Sequence, residues 1–381
     1  MSHVSDIRFV KRSMSANAVF SILIPTWNNL PYLKLCIDSI RKHSTLQHQL
    51  IVHINEGNDG TREWVASQSD IDYTASDTNI GVCYALNAAA QLASTNYILY
   101  LNDDMYTCPQ WDKYLLEEIN AVGHDDFFIS GTAIEPVAES ICSIEKNYGA
   151  DIESFNEALL LNEFAALPFS DWLGATWPPN VLHKKNWDLV GGYSTEFTPG
   201  MYSDPDFSMK LWQAGIRFFK GASKSRVYHF GSRSVKRVAK NPGYYTFISK
   251  WGMSSSTVTK IYLRRGVPFD GQLTEPRISQ IIRVKNLFKR IVAAFKRSIF
   301  FCSQLQNIGE TLLASHSSTA VFLVASKRLA VNSFHFVFIF LHNDFSFEAH
   351  LWGHFAGINT PLTRQQFKFF DLLNMIEFRV H

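Results

Sequence analysis

The stretch that decides the fold is "YILYLNDDM", residues 97–105: an apolar run ending on the adjacent carboxylates Asp103 and Asp104. Four or five apolar residues closed by polar ones suit a buried strand. Two carboxylates at its exit repel each other, and the repulsion is poorly screened near a protein interior. Two readings fit. One is a solvated turn, since Asn and Asp are good turn formers; the other is a divalent cation held by hard oxygen ligands.

The neighbouring sequence places this strand in a series. "AVFSILIP" (18–25) and "QLIVHIN" (49–55) are further apolar runs with strand character, and "IDYTAS" (71–76) is strand-like. Between them lie segments of helical character. In "TWNNLPYLKLCIDSIRKHS", Leu30, Leu33, Ile37 and Ile40 recur at three- and four-residue spacing, and Asn29 before Pro31 marks a helix start. "TREWVASQS" and "GVCYALNAAAQLAS" read as helices too. Strands alternating with helices predict a mostly parallel sheet flanked by helices on both faces. In such sheets ligands sit beyond the carboxyl ends of the strands. The polar clusters "TWNN", "NEGNDGT" and "NDDM" all fall at those ends, which favours the cation reading.

Later segments change in texture. Residues 171–234 are dense in Trp, Gly, Pro and Tyr and read as loop-rich, with one clear helix near "DPDFSMKLWQAG". After about residue 270 the chain turns Phe-rich and Asp-poor: the last 111 residues hold sixteen of the 30 Phe but only Asp344 and Asp371. The expected organisation is a leader over 1–17, a main domain over 18–270 and a C-terminal extension over 271–381. The main domain divides at 106/107, and the family resemblance given below makes 18–106 its nucleotide-binding half and 107–270 its acceptor-binding half.

Composition removes several function classes. Thirty-six basic against 34 acidic residues leave no global field favouring nucleic acid. Five scattered cysteines without a CxxC pair argue against a zinc cluster or disulfide framework and suit a reducing, cytoplasmic setting. The first twenty residues lack a signal-peptide apolar core. The longest apolar tract, 320–341, is broken by Lys327 and Arg328, which argues against a membrane-spanning helix.

Taken in order, these pieces resemble the family 2 glycosyltransferases and their GT-A, Rossmann-like architecture. The resemblance covers roughly residues 18–252. It is carried by "SILIPTWNNLPYLKLCIDSI", "NEGNDGT", "NIGVCYALNAAAQLASTNYILYLNDDM", "LVGGYSTEF", "SDPDFSMKLWQAGIRF" and "VYHFGSRS". It implies an inverting, hexosyl-type transferase that takes a sugar from a nucleotide-diphosphate donor to a glycan or lipid-linked acceptor, using Mg²⁺ or Mn²⁺.

By that resemblance "LNDDM" looks like the family's DxD motif, with Asn102 where the first Asp usually stands. Asp104 is then a metal ligand, and Asp103 lies near the ribose or metal. "SDPDFSMKLWQAG" looks like its ED motif, with Ser203 in place of the Glu, Asp204 as the base that takes the acceptor's proton, and Asp206 in support on the acceptor side. Both Asp also suit ordinary capping of a helix start. His229 in "VYHFGS" matches a histidine near the metal or diphosphate, and a neutral imidazole can ligate a divalent ion; a plain loop or core histidine remains open. Pro25 and Thr26 match a nucleotide contact on the first strand. Asn79, Gly81 and Asn87 match the segment that closes over the nucleotide. The second-strand loop departs most: it keeps Asp59, Gly60 and Thr61 but offers Asn55 and Glu56 for the usual Asp pair. Trp172 and Gly174 fall where acceptor-side residues lie, although a structural aromatic serves equally at 172.

Two other functions stay in view. A degenerate GT-A module would bind a sugar nucleotide or a partner without turnover. A nucleotidyltransferase would show a Gly-rich, basic loop after the first strand, which "PTWNNLPY" lacks.

One segment stands apart. Residues 276–297 contain seven Lys or Arg and no acidic residue. As a helix they would set Ile281, Phe288, Val292, Phe295 and Ile299 on one side and basic residues opposite. That pattern suits an element lying on the inner face of the membrane, or a helix packed on the catalytic domain with a solvated basic face.

Overall fold

The computed structural model describes residues 7–12, 17–138, 140–231 and 243–294 in full, and the backbone of 334–341, 346–355 and 358–368. Most of the expected leader, residues 295–297 of the basic segment, 298–333 of the extension and the end of "VYHFGSRS" lie outside these. The chain forms two compact units, residues 1–286 and 287–381.

In the first unit the strands are β1 (Arg8–Val10), β2 (Phe20–Trp27), β3 (His48–Asn55), β4 (Ile71–Ser76), β5 (Tyr97–Tyr100), β6 (Met105–Thr107), β7 (Phe127–Glu135), β8 (Ile144–Glu145), β9 (Trp172–Leu173), β10 (Asn180–His183) and β11 (Phe218–His229). They make one sheet in the order β1-β4-β3-β2-β5-β10-β7-β11-β6, with β8 beside β7 and β9 beside β11. The expected mostly parallel sheet is present. β4, β3, β2 and β5 pair in parallel, and β11 runs parallel to β7. β10 lies antiparallel between β5 and β7, so those two strands still point the same way.

Main helices are α1 (Leu30–His43), α2 (Thr61–Ser67), α3 (Gly81–Ala90), α4 (Trp111–Val122), α5 (Glu157–Glu163), α6 (Lys184–Val190), α7 (Ser203–Gln213) and α8 (Gly243–Trp251). Alternate strand residues feed two cores, because successive side chains of a strand point to opposite faces. Leu23, Ile51, Ile98 and Tyr100 pack with Leu86 of α3, Trp187 of α6, and Phe207 and Leu211 of α7. Ile22, Ile24, Val52 and Leu99 pack with Leu33 and Ile37 of α1, and Trp111 and Leu115 of α4. Burial on both faces is why these strands read as continuous apolar runs. Each fully buried Leu, Ile or Phe contributes roughly 1.5–3 kcal/mol.

Residues 271–286 belong to the first unit: Leu273 is buried and its N–H bonds the Arg217 carbonyl, while Ile278 packs on the first core. In the second unit, residues 334–368 form an antiparallel three-stranded sheet of β12 (Phe334–Leu341), β13 (Ser346–Phe355) and β14 (Ile358–Lys368). These strands lie in the Phe-rich part of the expected extension, and its expected helix lies upstream, over 280–294. "FHFVFIFL" is aromatic and β-branched throughout, a composition that favours strand.

Candidate active site at the strand ends

Thr26 closes β2, Asp103 and Asp104 follow β5, Glu135 closes β7 and His229 closes β11. These strands point the same way, so the sheet delivers all five residues to one edge. The β6–β11 ladder adds a constraint, pairing Met105 with His229 and bringing the Phe230 N–H onto the Asp104 carbonyl.

The acidic groups here are buried yet held. Asp103 is 7% exposed, Asp104 5%, Glu135 5% and His229 7%. The Thr26 hydroxyl donates to Asp103 Oδ2 at 2.7 Å. His229 Nδ1 meets Glu135 Oε1 at 2.7 Å, and its Nε2 lies 3.4 Å from Asp104 Oδ1 without the alignment of a hydrogen bond. Burial by itself would depress the His229 pKa. The Asp104 charge and the bond to Glu135 outweigh it and push the pKa up to about 10, so at neutral pH the imidazole is itself a cation between two carboxylates.

Among the described residues no group of three or more His, Cys, Asp or Glu forms a ready metal cage. The site offers instead Asp104 and a buried, unbonded His229 Nε2 facing it. Such a pair could hold a hard cation that displaces the Nε2 proton and draws its remaining ligands from substrate phosphates, as Mg²⁺ commonly does.

Asp204 enters from the first turn of α7. Tyr193 donates its hydroxyl to Asp204 Oδ1 at 3.2 Å. Desolvation pushes the Asp204 pKa up to about 7, the Tyr193 bond opposing it. Tyr100, the last residue of β5, ties the constellation together. Its pKa is well raised by burial first, and then by the charges of Asp204, Asp104 and Asp103. The charges of Asp204, Asp104 and Asp103 thus all act on one buried phenol.

The second-strand loop is stitched to its neighbours. Asn55 Oδ1 accepts the Ile80 N–H at 2.9 Å. Glu56, at a positive φ of 60°, accepts from Trp27, Asn28 and the Asn79 N–H. Asn79 Oδ1 accepts the Gly81 N–H. Asp59 accepts the Leu30 N–H at 2.8 Å and the Thr61 hydroxyl at 2.6 Å, serving the starts of α1 and α2 at once. Pro25 lies within the β2–β3 ladder, and Asn102 is half-buried between β5 and the Asp pair.

Several other expected residues are engaged in the fold. Asn87 bonds both the N–H and the carbonyl of Tyr193, fixing the loop that carries Tyr193 to Asp204. Trp172 is buried over Gly221, and its Nε1 donates to Thr132. Gly174, at φ 85°, leaves no room for a side chain beside Arg265 and Leu263. Asp206 is fully buried, accepting from Trp251 at 2.8 Å and pairing with Lys250 at 2.9 Å, which anchors α8.

Sequence reading did not single out Glu135, Tyr193 or Tyr100. A lone Glu closing an apolar strand carries no spacing signal. Tyr193 sits inside a quoted segment, "LVGGYSTEF", and Tyr100 inside the opening one, but each reads there as an ordinary core aromatic.

Residues 21–141 match the family described as Glycosyl transferase family 2. An uncharacterized glycosyltransferase of Haemophilus influenzae is 21% identical over 199 residues, covering 51% of this chain and 62% of that protein. The chain thus spans less than two-thirds of that relative's length. The crystal structure of S. aureus TarS 1–349 aligns with a TM-score of 0.43 and 13% identity over 73% of this chain and 72% of that one. The same protein in complex with UDP gives 0.44 and 12%, over 72% and 70%. The matched segment runs from the start of β2 through Asp103, Asp104 and Glu135, so this part of the chain is similar to a glycosyl transferase family 2 domain.

Proposed function

We propose that the protein is a metal-dependent, inverting glycosyltransferase. It would move a sugar from a nucleotide-diphosphate donor to a hydroxyl of a glycan or lipid-linked acceptor. The observation that carries this reading is that the sheet brings Asp103, Asp104 and His229 to one end, with His229 Nε2 3.4 Å from Asp104 Oδ1. A Mg²⁺ or Mn²⁺ held by Asp104 and His229 would neutralise charge gathering on the departing diphosphate. The Thr26 hydroxyl fixes one Asp103 oxygen and so holds this carboxylate at the strand end, where it would face the ribose or the cation's shell.

Asp204 supplies the base. With a pKa near 7 it is partly ionised at neutral pH and can still hold a proton, the compromise that favours general-base catalysis. Tyr193 steadies one of its oxygens, and the other is left to take the acceptor's hydroxyl proton as that oxygen attacks the sugar.

The test is transfer from a labelled donor with Mn²⁺ and with EDTA, for the native chain and Asp104→Ala. Native transfer should require the metal, and Asp104→Ala should lose transfer while still melting cooperatively. Undiminished native transfer in excess EDTA overturns the metal assignment.

A further inference from the structure

The helix over residues 280–294 carries its apolar residues on the outside. Ile281, Val284, Leu287, Phe288 and Ile291 are each between 53% and 68% exposed. At 3.6 residues per turn, 281, 284, 288 and 291 form one continuous stripe, with 287 at its edge. Asn286, on the other side, is buried and accepts a hydrogen bond from the Thr257 hydroxyl. This reverses the usual disposition, in which a helix buries its apolar stripe and leaves polar residues in water.

The cations are placed with equal economy. On the same wheel, Arg283 and Arg290 border the stripe on one side and Lys285 borders it on the other. From 276 to 297 no acidic residue interrupts them. A complementary surface must therefore be apolar along its centre and anionic along both margins. A second copy of this helix fails that requirement, since its own cations would meet these. A bilayer containing anionic lipids meets it: acyl chains take the stripe while headgroups take the flanking cations. No described helix is long and apolar enough to cross a membrane, so the contact would lie in the interface plane.

We infer that the exposed face of residues 280–294 docks the protein on an anionic lipid surface. The inference rests on this helix and not on the transfer reaction.

The test is co-sedimentation of the full chain with neutral phosphatidylcholine vesicles and with vesicles containing about one-quarter phosphatidylglycerol, at low and high salt. Partition should favour the anionic vesicles by about tenfold or more and fall as salt shortens the range of the attraction. Two double variants separate the contributions: Phe288→Glu with Ile291→Glu removes the apolar centre, and Arg283→Glu with Arg290→Glu reverses one margin. All four positions are exposed, so both proteins should keep the native melting temperature. Both should lose at least about tenfold in partition. Equal pelleting with the two vesicle types, no pelleting, or unchanged partition of a folded variant overturns the inference. So does a native dimer, seen by sedimentation velocity, that Phe288→Glu with Ile291→Glu abolishes.

Discussion

At pH 7 the Asp204 carboxyl is close to half-titrated, because its desolvated surroundings raise its pKa from 3.8 to about 7. The folded state therefore holds a proton that the unfolded chain has already released. Between about pH 4 and 7 the native protein binds more protons than the unfolded chain, and its stability falls as pH rises through that window. Asp204→Asn removes this penalty. The variant should melt higher than the native protein at pH 8, with the difference vanishing near pH 4, a comparison that calorimetry at the two pH values makes directly. Its chemistry should move the other way. Asn cannot accept a proton, so transfer should fall by about 10²- to 10⁴-fold with donor affinity kept. The native rate should rise with pH through about 7. Were Asp204 only a helix cap, Asn would serve almost as well and turnover would stay near normal. Glu135 makes a second case at this scale. Its bond to His229 Nδ1 leaves Nε2 facing Asp104, and at the proposed metal site Glu135 would orient a ligand in this way. Glu135→Gln should weaken Mn²⁺ binding about 10- to 100-fold by isothermal titration calorimetry, the usual cost of losing such support.

Helix starts show how far a local reading of sequence reaches. Asn29 and Pro31 correctly mark the start of α1, yet the Asn29 side chain caps nothing. The Leu30 N–H is satisfied by Asp59, from the loop after the next strand. That residue is one turn of chain from α2 and distant in sequence from α1, so no local pattern could expose its double duty. Asp59→Ala should lower stability by about 1–3 kcal/mol, somewhat more than one lost cap, as read by urea denaturation. The alternation of strands and helices was legible because burial on both faces leaves uninterrupted apolar runs. Asp103 and Asp104 drew notice because they stand where one of those runs breaks, whereas Asp204 was singled out only by the family resemblance of "SDPDFSMKLWQAG". β6 and β10 were not legible: at three and four residues they are shorter than any periodicity can resolve, and their partners are far along the chain. Nor did the sequence reveal that Gly81 is pressed against Pro199. A side chain there would approach Pro199 Cα to 2.7 Å at a φ of 77°. Gly81→Ala should therefore push on the 198–200 turn that leads into Asp204 and α7, lowering the melting temperature along with the transfer rate.

Across the whole first unit, the proposed chemistry gathers at one end of the sheet. A donor bound at that end should stabilise the entire cooperative unit by mass action, about 2.7 kcal/mol at a hundredfold excess over Kd. A panel of nucleotide diphosphates should thus raise the melting temperature for one base above the others, and only with Mg²⁺ or Mn²⁺ present. An equal shift in EDTA would show that the nucleotide binds without the ion.

The β6–β11 ladder has a consequence in time as well as space. Asp104 precedes β6, but its histidine neighbour closes β11, about 125 residues further along. During synthesis the early strands β2 to β5 can pair as soon as they emerge, since their contacts are near in sequence. Their acidic edge must then wait for β11 before it meets any histidine. Register matters as well, because a slip of one residue in this short ladder would turn His229 to the opposite face of the sheet. A nascent chain stalled short of residue 229 would thus present paired aspartates without His229 beside them, and the proposed site would be complete only once the last strand of the sheet has been made.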